Sequence, residues 1–175
     1  MLINVRIGGP RPPCARDAVD MLLECHERIR SHSTLAVRLA RGEGDARMRS
    51  EAAAQLVRYF GTALPLHVED EDLSMAPALR EKGLTVLENE ALAEMSQQHE
   101  DIDARLEELL PLWRAGESGA LETSEQLARL FDGHLQLEEK MIFPAMRARL
   151  GPAEHQALIQ AFRARREPNA RPTHG

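Results

Sequence analysis

The chain has 175 residues, 43% of them apolar and only 3% aromatic, with a formal charge of −6. That is one domain with a real core, and its Ala, Leu, Glu, Arg and Gln are helix formers. The absence of a long basic cluster argues against nucleic acid, and no run approaches the ~20 apolar residues of a membrane span.

Residues 1–15 are rich in Gly and Pro and read as an N-terminal arm, with a short strand possible at 2–7. They lack the basic-then-apolar order of a secretory signal, so a soluble, cytoplasmic protein is expected. Cys14 and Cys25 form no metal pattern, and a disulfide scaffold is not expected. Helix one is expected over 16–41, with His26 set inside an apolar stripe that includes Val19, Leu22, Ile29 and Leu39. The turn Gly42-Glu43-Gly44-Asp45 follows, with Asp45 as N-cap. Helix two is expected over 46–72, bent by Pro65. Pro77 then starts or interrupts a short helical piece that stops near Gly83.

Helix three is expected over 87–115, with His99 in the stripe of Leu92, Met95, Ile102, Leu106, Leu109 and Trp113. Helix four is expected over 121–142, with Leu127, Leu130, Phe131, His134, Leu137, Glu138 and Met141 on one face. After Gly151-Pro152, a last helix over 153–166 would cap one end of the bundle with Leu158, Ile159 and Phe162. Residues 167–175 are polar and read as a disordered tail. Long helices joined by short turns predict an all-α, up-down-up-down four-helix bundle over 16–166.

Two stretches say nearly the same thing. His67-Val68-Glu69-Asp70-Glu71-Asp72 and His134-Leu135-Gln136-Leu137-Glu138-Glu139 each place acids four and five positions after a histidine. Each is followed by a proline ten positions after that histidine, Pro77 and Pro144. Residues four apart share a helix face, so each copy offers an imidazole and a carboxylate pointing the same way. One such pair is weak evidence, because acids make up 28 of the 175 residues. His99 has Asp103 at the same spacing. The conjunction carries more: a His-x-x-x-Glu on helices two and four, and a lone histidine on helices one and three. His26, His67, Glu71, His99, His134 and Glu138 then all lie on inward faces. Polar groups there are costly unless paired or metal-bound. Four imidazoles and two carboxylates suit two first-row metal ions, with a mixed N/O set favouring iron over zinc. His32 falls on another face and is expected to be exposed. His155 and His174 lie outside the four helices. Cys25 points about 100° away from His26 and is not expected to be a ligand. Met95 and Trp113 are expected in the core.

The pattern resembles the hemerythrin-like, or HHE cation-binding, domain. The segments LPLHVEDED, QQHEDI and HLQLEEKMIFPAM carry the likeness, which spans about 16–165. The resemblance implies a bundle holding a non-haem di-iron centre. His26 and His67 would serve one iron, His99 and His134 the other, and Glu71 and Glu138 would bridge them. Glu139 is then a bystander, and Glu69, Asp70 and Asp72 belong to the surface. Oxygen-carrying members have a fifth histidine one turn from the third-helix ligand, and here Met95 and Asp103 stand in those places. The expected function is therefore binding or sensing of a small ligand such as oxygen, nitric oxide or iron. A di-iron oxidase or peroxidase, or an iron-donating repair protein, is the alternative, with Asp103 the best acid–base candidate. A regulatory module shut by a structural metal is a third. A homodimer formed through the arm is also possible.

Overall fold

A computed structural model describes residues 17–167. The expected strand at 2–7, Cys14, His174 and all of the tail beyond Glu167 lie outside the described residues. Among those described, the chain forms five helices and no strand. Helix α1 is Ala18–Ala40, and α2 runs continuously over 46–80. Helix α3 is Val86–Arg114, α4 runs over 121–149, and α5 is Pro152–Arg165.

Local chemistry sets the helix starts. Asp17 and Asp20 form a reciprocal capping box on α1, and Thr85 and Glu88 form one on α3. Asp45 caps α2 through the Met48 amide. The turns after α1 and α3 use glycines with positive φ, Gly42 at 74° and Gly116 at 77°. Asp17 also receives Arg147 of α4, with Nε–Oδ2 at 2.8 Å. Replacing Asp17 with Ala should cost about 1 kcal/mol, chiefly through the cap. A urea titration would read this as a lower midpoint with unchanged slope.

Helices α2 and α4 are longer than their sequences suggest, and the prolines explain how. Where a bend at Pro65, an interruption at Pro77 and a helix end before Pro144 are expected, the structure has single π-helical turns inside continuous helices: Tyr59–Ala63, Glu71–Met75 and Glu138–Ile142. The residue before each proline donates its amide five residues back: Leu64 to Tyr59, Ala76 to Glu71, and Phe143 to Glu138. A proline ring clashes with the carbonyl four residues earlier. Widening the preceding turn by one residue relieves that clash without ending the helix. The extra residue also shifts the helical phase, so Ile142 is buried and Met141, expected on the inner face, is exposed.

Each of the four long helices packs on two neighbours: α1 on α2 and α4, and α3 on α2 and α4. The core falls into two apolar clusters. One holds Val19, Leu22, Met75, Leu92, Met95 and Phe143, covered by Leu158, Ile159 and Phe162 of α5. The other holds Ile29, Phe60, Ile102, Leu109, Trp113 and Phe131, with Phe60 stacked between Trp113 and Phe131. Along α1 and α3 the chain passes from the first cluster to the second, and along α2 and α4 from the second to the first. That alternation is the antiparallel bundle, and the polar residues fall between the clusters in all four helices.

Helix α5 is pinned by a buried acid. Asp70, expected at the surface, is 1% exposed. It takes Arg165 at 2.9 Å and Arg166 at 2.7 Å. Burial pushes its carboxyl up despite these arginines. His155 of α5 is buried too, with Nδ1 accepting from the Ala18 amide at 3.3 Å.

Candidate metal centre

All six polar residues expected to face inward do so: His26, Glu71 and Glu138 have no exposed surface, and His67, His99 and His134 almost none. They fall into two groups, His26–His67–Glu71–Glu138 and Glu71–His99–His134–Glu138. Within each group the potential ligand atoms lie within 4.8 Å of one another. Both carboxylates belong to both groups. The rings pair the same way, with centroids 5.6 Å apart for His26–His67 and 4.8 Å for His99–His134.

Local geometry produces this. The Glu71 amide bonds to the His67 carbonyl and the Glu138 amide to that of His134, so each chelate sits in ordinary α-helix and the π-turn begins at its glutamate. Glu71 spans the two groups, with Oε1 2.9 Å from His67 Nε2 and Oε2 3.1 Å from His99 Nε2. Glu138 Oε2 lies 2.9 Å from His26 Nε2 and 3.8 Å from His134 Nε2.

Distances this short would ordinarily be hydrogen bonds, yet most lack the angles. His26 Nε2, both His67 ring nitrogens, Glu71 Oε1 and both Glu138 oxygens are buried without a hydrogen-bond partner. Outside this cluster the described residues have one such side-chain atom, Trp113 Nε1. An orphaned buried polar atom costs about 1–3 kcal/mol, so several aimed at one centre call for a cation. Imidazole nitrogens with carboxylate oxygens and no thiolate suit first-row divalent metals.

The charges agree. Burial works against a charged His67, yet Glu71 holds its imidazole well above the ordinary value. Burial likewise pulls His99 down, and Asp72 and Glu71 outweigh it, raising it to about 10. Burial pushes Glu71 up, but His67 and His99 hold it well below the usual carboxylate range. His134 is lowered, chiefly by burial. Glu71 thus favours positive charge on His67 and His99.

Behind the ring stands an outer layer. His26 Nδ1 contacts Glu139 Oε1 at 2.7 Å, His99 Nδ1 contacts Asp72 Oδ2 at 3.2 Å, and His134 Nδ1 contacts Gln98 Oε1 at 3.1 Å. The Cys25 thiol lies beside the His67 ring, outside both ligand groups. Two expectations change here. Glu139 is not a bystander, and Asp72 is not merely surface: each is the carboxylate behind a lone histidine. Their signal was in the sequence, as the acid five positions after His67 and His134. Asp103 does not take this role; it is exposed, and His99 Nδ1 is engaged by Asp72. His32 is half-buried against Tyr59, with centroids 3.7 Å apart, rather than exposed. Like His155, it is not part of either cluster.

The model of the hemerythrin HHE cation-binding domain matches residues 17–146 and again 91–167. The chain belongs to the hemerythrin HHE family. It is thus a metal-binding, hemerythrin-like bundle, and its buried His/Glu groups are where a cation would be held. No curated protein matches the chain. Among the described residues, no helix is long and apolar enough to cross a membrane.

Proposed function

We propose that this hemerythrin-like protein holds two iron ions in a non-haem di-iron centre and binds or senses a small ligand, oxygen or nitric oxide. His26 and His67 serve one ion, His99 and His134 the other, with Glu71 and Glu138 common to both. The observation that carries this reading is the sharing of both carboxylates by two His₂Glu₂ groups, several of whose buried atoms lack a hydrogen-bond partner. Carboxylates common to two ligand groups would serve two ions and offset their charge in an apolar interior. Such a pair, when bound, supplies coordination positions and electrons for a diatomic ligand.

The surroundings favour binding over turnover. Where oxygen carriers of the family have a fifth histidine, Met95 is fully buried in the apolar cluster and Asp103 is exposed. Neither joins the His/Glu groups. That set is one histidine short of the oxygen carriers', which favours sensing over oxygen carriage. Apolar side chains such as Met95, Phe143, Ile29 and Ile102 flank the layer and limit water and proton access.

Metal quantification and the optical spectrum, on protein purified without chelators or a metal-affinity tag, test the proposal. Two irons per chain with oxo-bridge absorption bands are expected. A folded protein that retains no iron after anaerobic reconstitution would sink it. Stopped-flow mixing of the di-ferrous protein with oxygen should give a stable, reversible adduct; rapid oxidation without an adduct would point to an oxidase.

A further inference from the structure

His26 and His99 hold matching places in the bundle. Each turns Nε2 inward and Nδ1 to the carboxylate that follows a site glutamate. Those two carboxylates are not in the same electrical state. Glu139 Oε1 lies 2.7 Å from His26 Nδ1 and also accepts Arg30 Nη2 at 2.7 Å, on the same oxygen. Asp72 Oδ2 faces His99 Nδ1 at 3.2 Å, and no arginine or lysine among the described residues pairs with it. Solvent does not make the difference, since the Glu139 and Asp72 side chains are 30% and 37% exposed.

A carboxylate behind an imidazole orients the ring and makes its far nitrogen a stronger donor to metal. The shorter contact at Glu139 favours His26, but Coulomb energy falls only as 1/r, so the gap is worth about a fifth. A guanidinium on the same oxygen, at the same distance, offsets far more of the charge, and its second ion pair, to the exposed Glu27 at 3.0 Å, is screened by solvent. The neighbouring partners do not restore the balance, because Gln98 behind His134 is neutral and His67 has the Cys25 thiol beside it rather than a carboxylate.

We infer that Arg30, acting through Glu139, makes the two metal subsites unequal: the His99–His134 subsite binds its ion first, and the His26–His67 subsite is the weaker. Glu139 and Asp72 are positioning residues in this scheme, and Arg30 sets the difference between them. The inference rests on the two-metal reading above. It gives the centre an order of assembly and, at intermediate metal levels, a half-loaded state with one defined vacancy.

The test is an anaerobic titration of the full chain with cobalt(II), read by its d–d absorption, with far-UV circular dichroism checking the fold of each variant. Wild type should show two steps. Asp72→Asn should weaken the tighter step by about tenfold or more, and Glu139→Gln the weaker one, the range seen for outer-layer partners of metal ligands. Arg30→Gln should tighten the weaker step by about threefold or more, and Arg30→Lys should return it toward wild type. In the Glu139→Gln background, Arg30→Gln should have no effect. An unchanged weaker step in Arg30→Gln overturns the inference. So does an Arg30 effect that persists without Glu139, because the guanidinium would then act as a distant charge. Wild-type protein that binds fewer than two cobalt ions overturns the two-metal reading itself, and this inference with it.

Discussion

Replacing Glu71 with Gln should empty both halves of the centre, whereas replacing His134 with Ala should empty one. The difference comes from reach. Glu71 places one oxygen 2.9 Å from His67 and the other 3.1 Å from His99, so a single carboxylate serves both groups. His134 belongs to one group only. An amide keeps the shape of Glu71 and lacks the charge that balances two divalent ions. Loss of an outer-layer partner alone costs about 10–100-fold in metal affinity; loss of a shared ligand should exceed that for each ion. The fold should survive, because Gln removes a buried charge rather than creating one. Metal content after dialysis is the measurement: near zero per chain for Glu71→Gln and near one for His134→Ala. One full equivalent retained by Glu71→Gln would make Glu71 a terminal ligand and defeat the shared arrangement.

The inward placement of those six residues was legible because it is periodic. A histidine in an apolar stripe and an acid one turn on are statements about helix faces, and α-helix geometry turns them into positions. Glu139 and Asp72 were misjudged for the complementary reason. Five positions is not one helical turn, so each points away from its own histidine. Their partners are the lone histidines of other helices, and the repeated five-position spacing marks the acids without naming those partners. Asp70 was misjudged in the same way. It sits in an acidic run that looks solvated, and only the docking of α5 brings Arg165 and Arg166 against it. The prolines misled in the other direction. Pro77 and Pro144 were visible as a repeat, but a proline reads as a break. The structure instead absorbs each one in a π-turn that starts at the metal-facing glutamate, so the repeat marks a device that carries the helix past the site.

Loading with metal should raise the thermal midpoint by about 10–20 °C, and replacing the whole polar layer with apolar residues should abolish that rise without lowering the metal-free midpoint. An ion present at 100 times its dissociation constant stabilises the folded state by about 2.7 kcal/mol, so two ions give about 5 kcal/mol. In a domain of this length each kcal/mol moves the midpoint by about 2–4 °C. The second half of the prediction follows from the energetics of the empty site. Glu71 and Glu138 are fully buried, and three of their four oxygens lack a hydrogen-bond partner. Replacing a whole buried ionic set with apolar groups of similar volume is often neutral or stabilising by about 1–4 kcal/mol, whereas removing one side of it leaves the other uncompensated. A variant carrying His26→Leu, His67→Leu, Glu71→Leu, His99→Leu, His134→Leu and Glu138→Leu should therefore melt, without metal, at or above the wild-type metal-free midpoint, and iron should no longer move it. Calorimetry with and without ferrous iron under anaerobic conditions measures both. A variant of this kind that is less stable by more than about 2 kcal/mol would mean that the polar layer holds the metal-free bundle together through its own contacts. If it is not, the polar layer between the two apolar clusters lowers the stability of the metal-free bundle, and its purpose lies in what it binds.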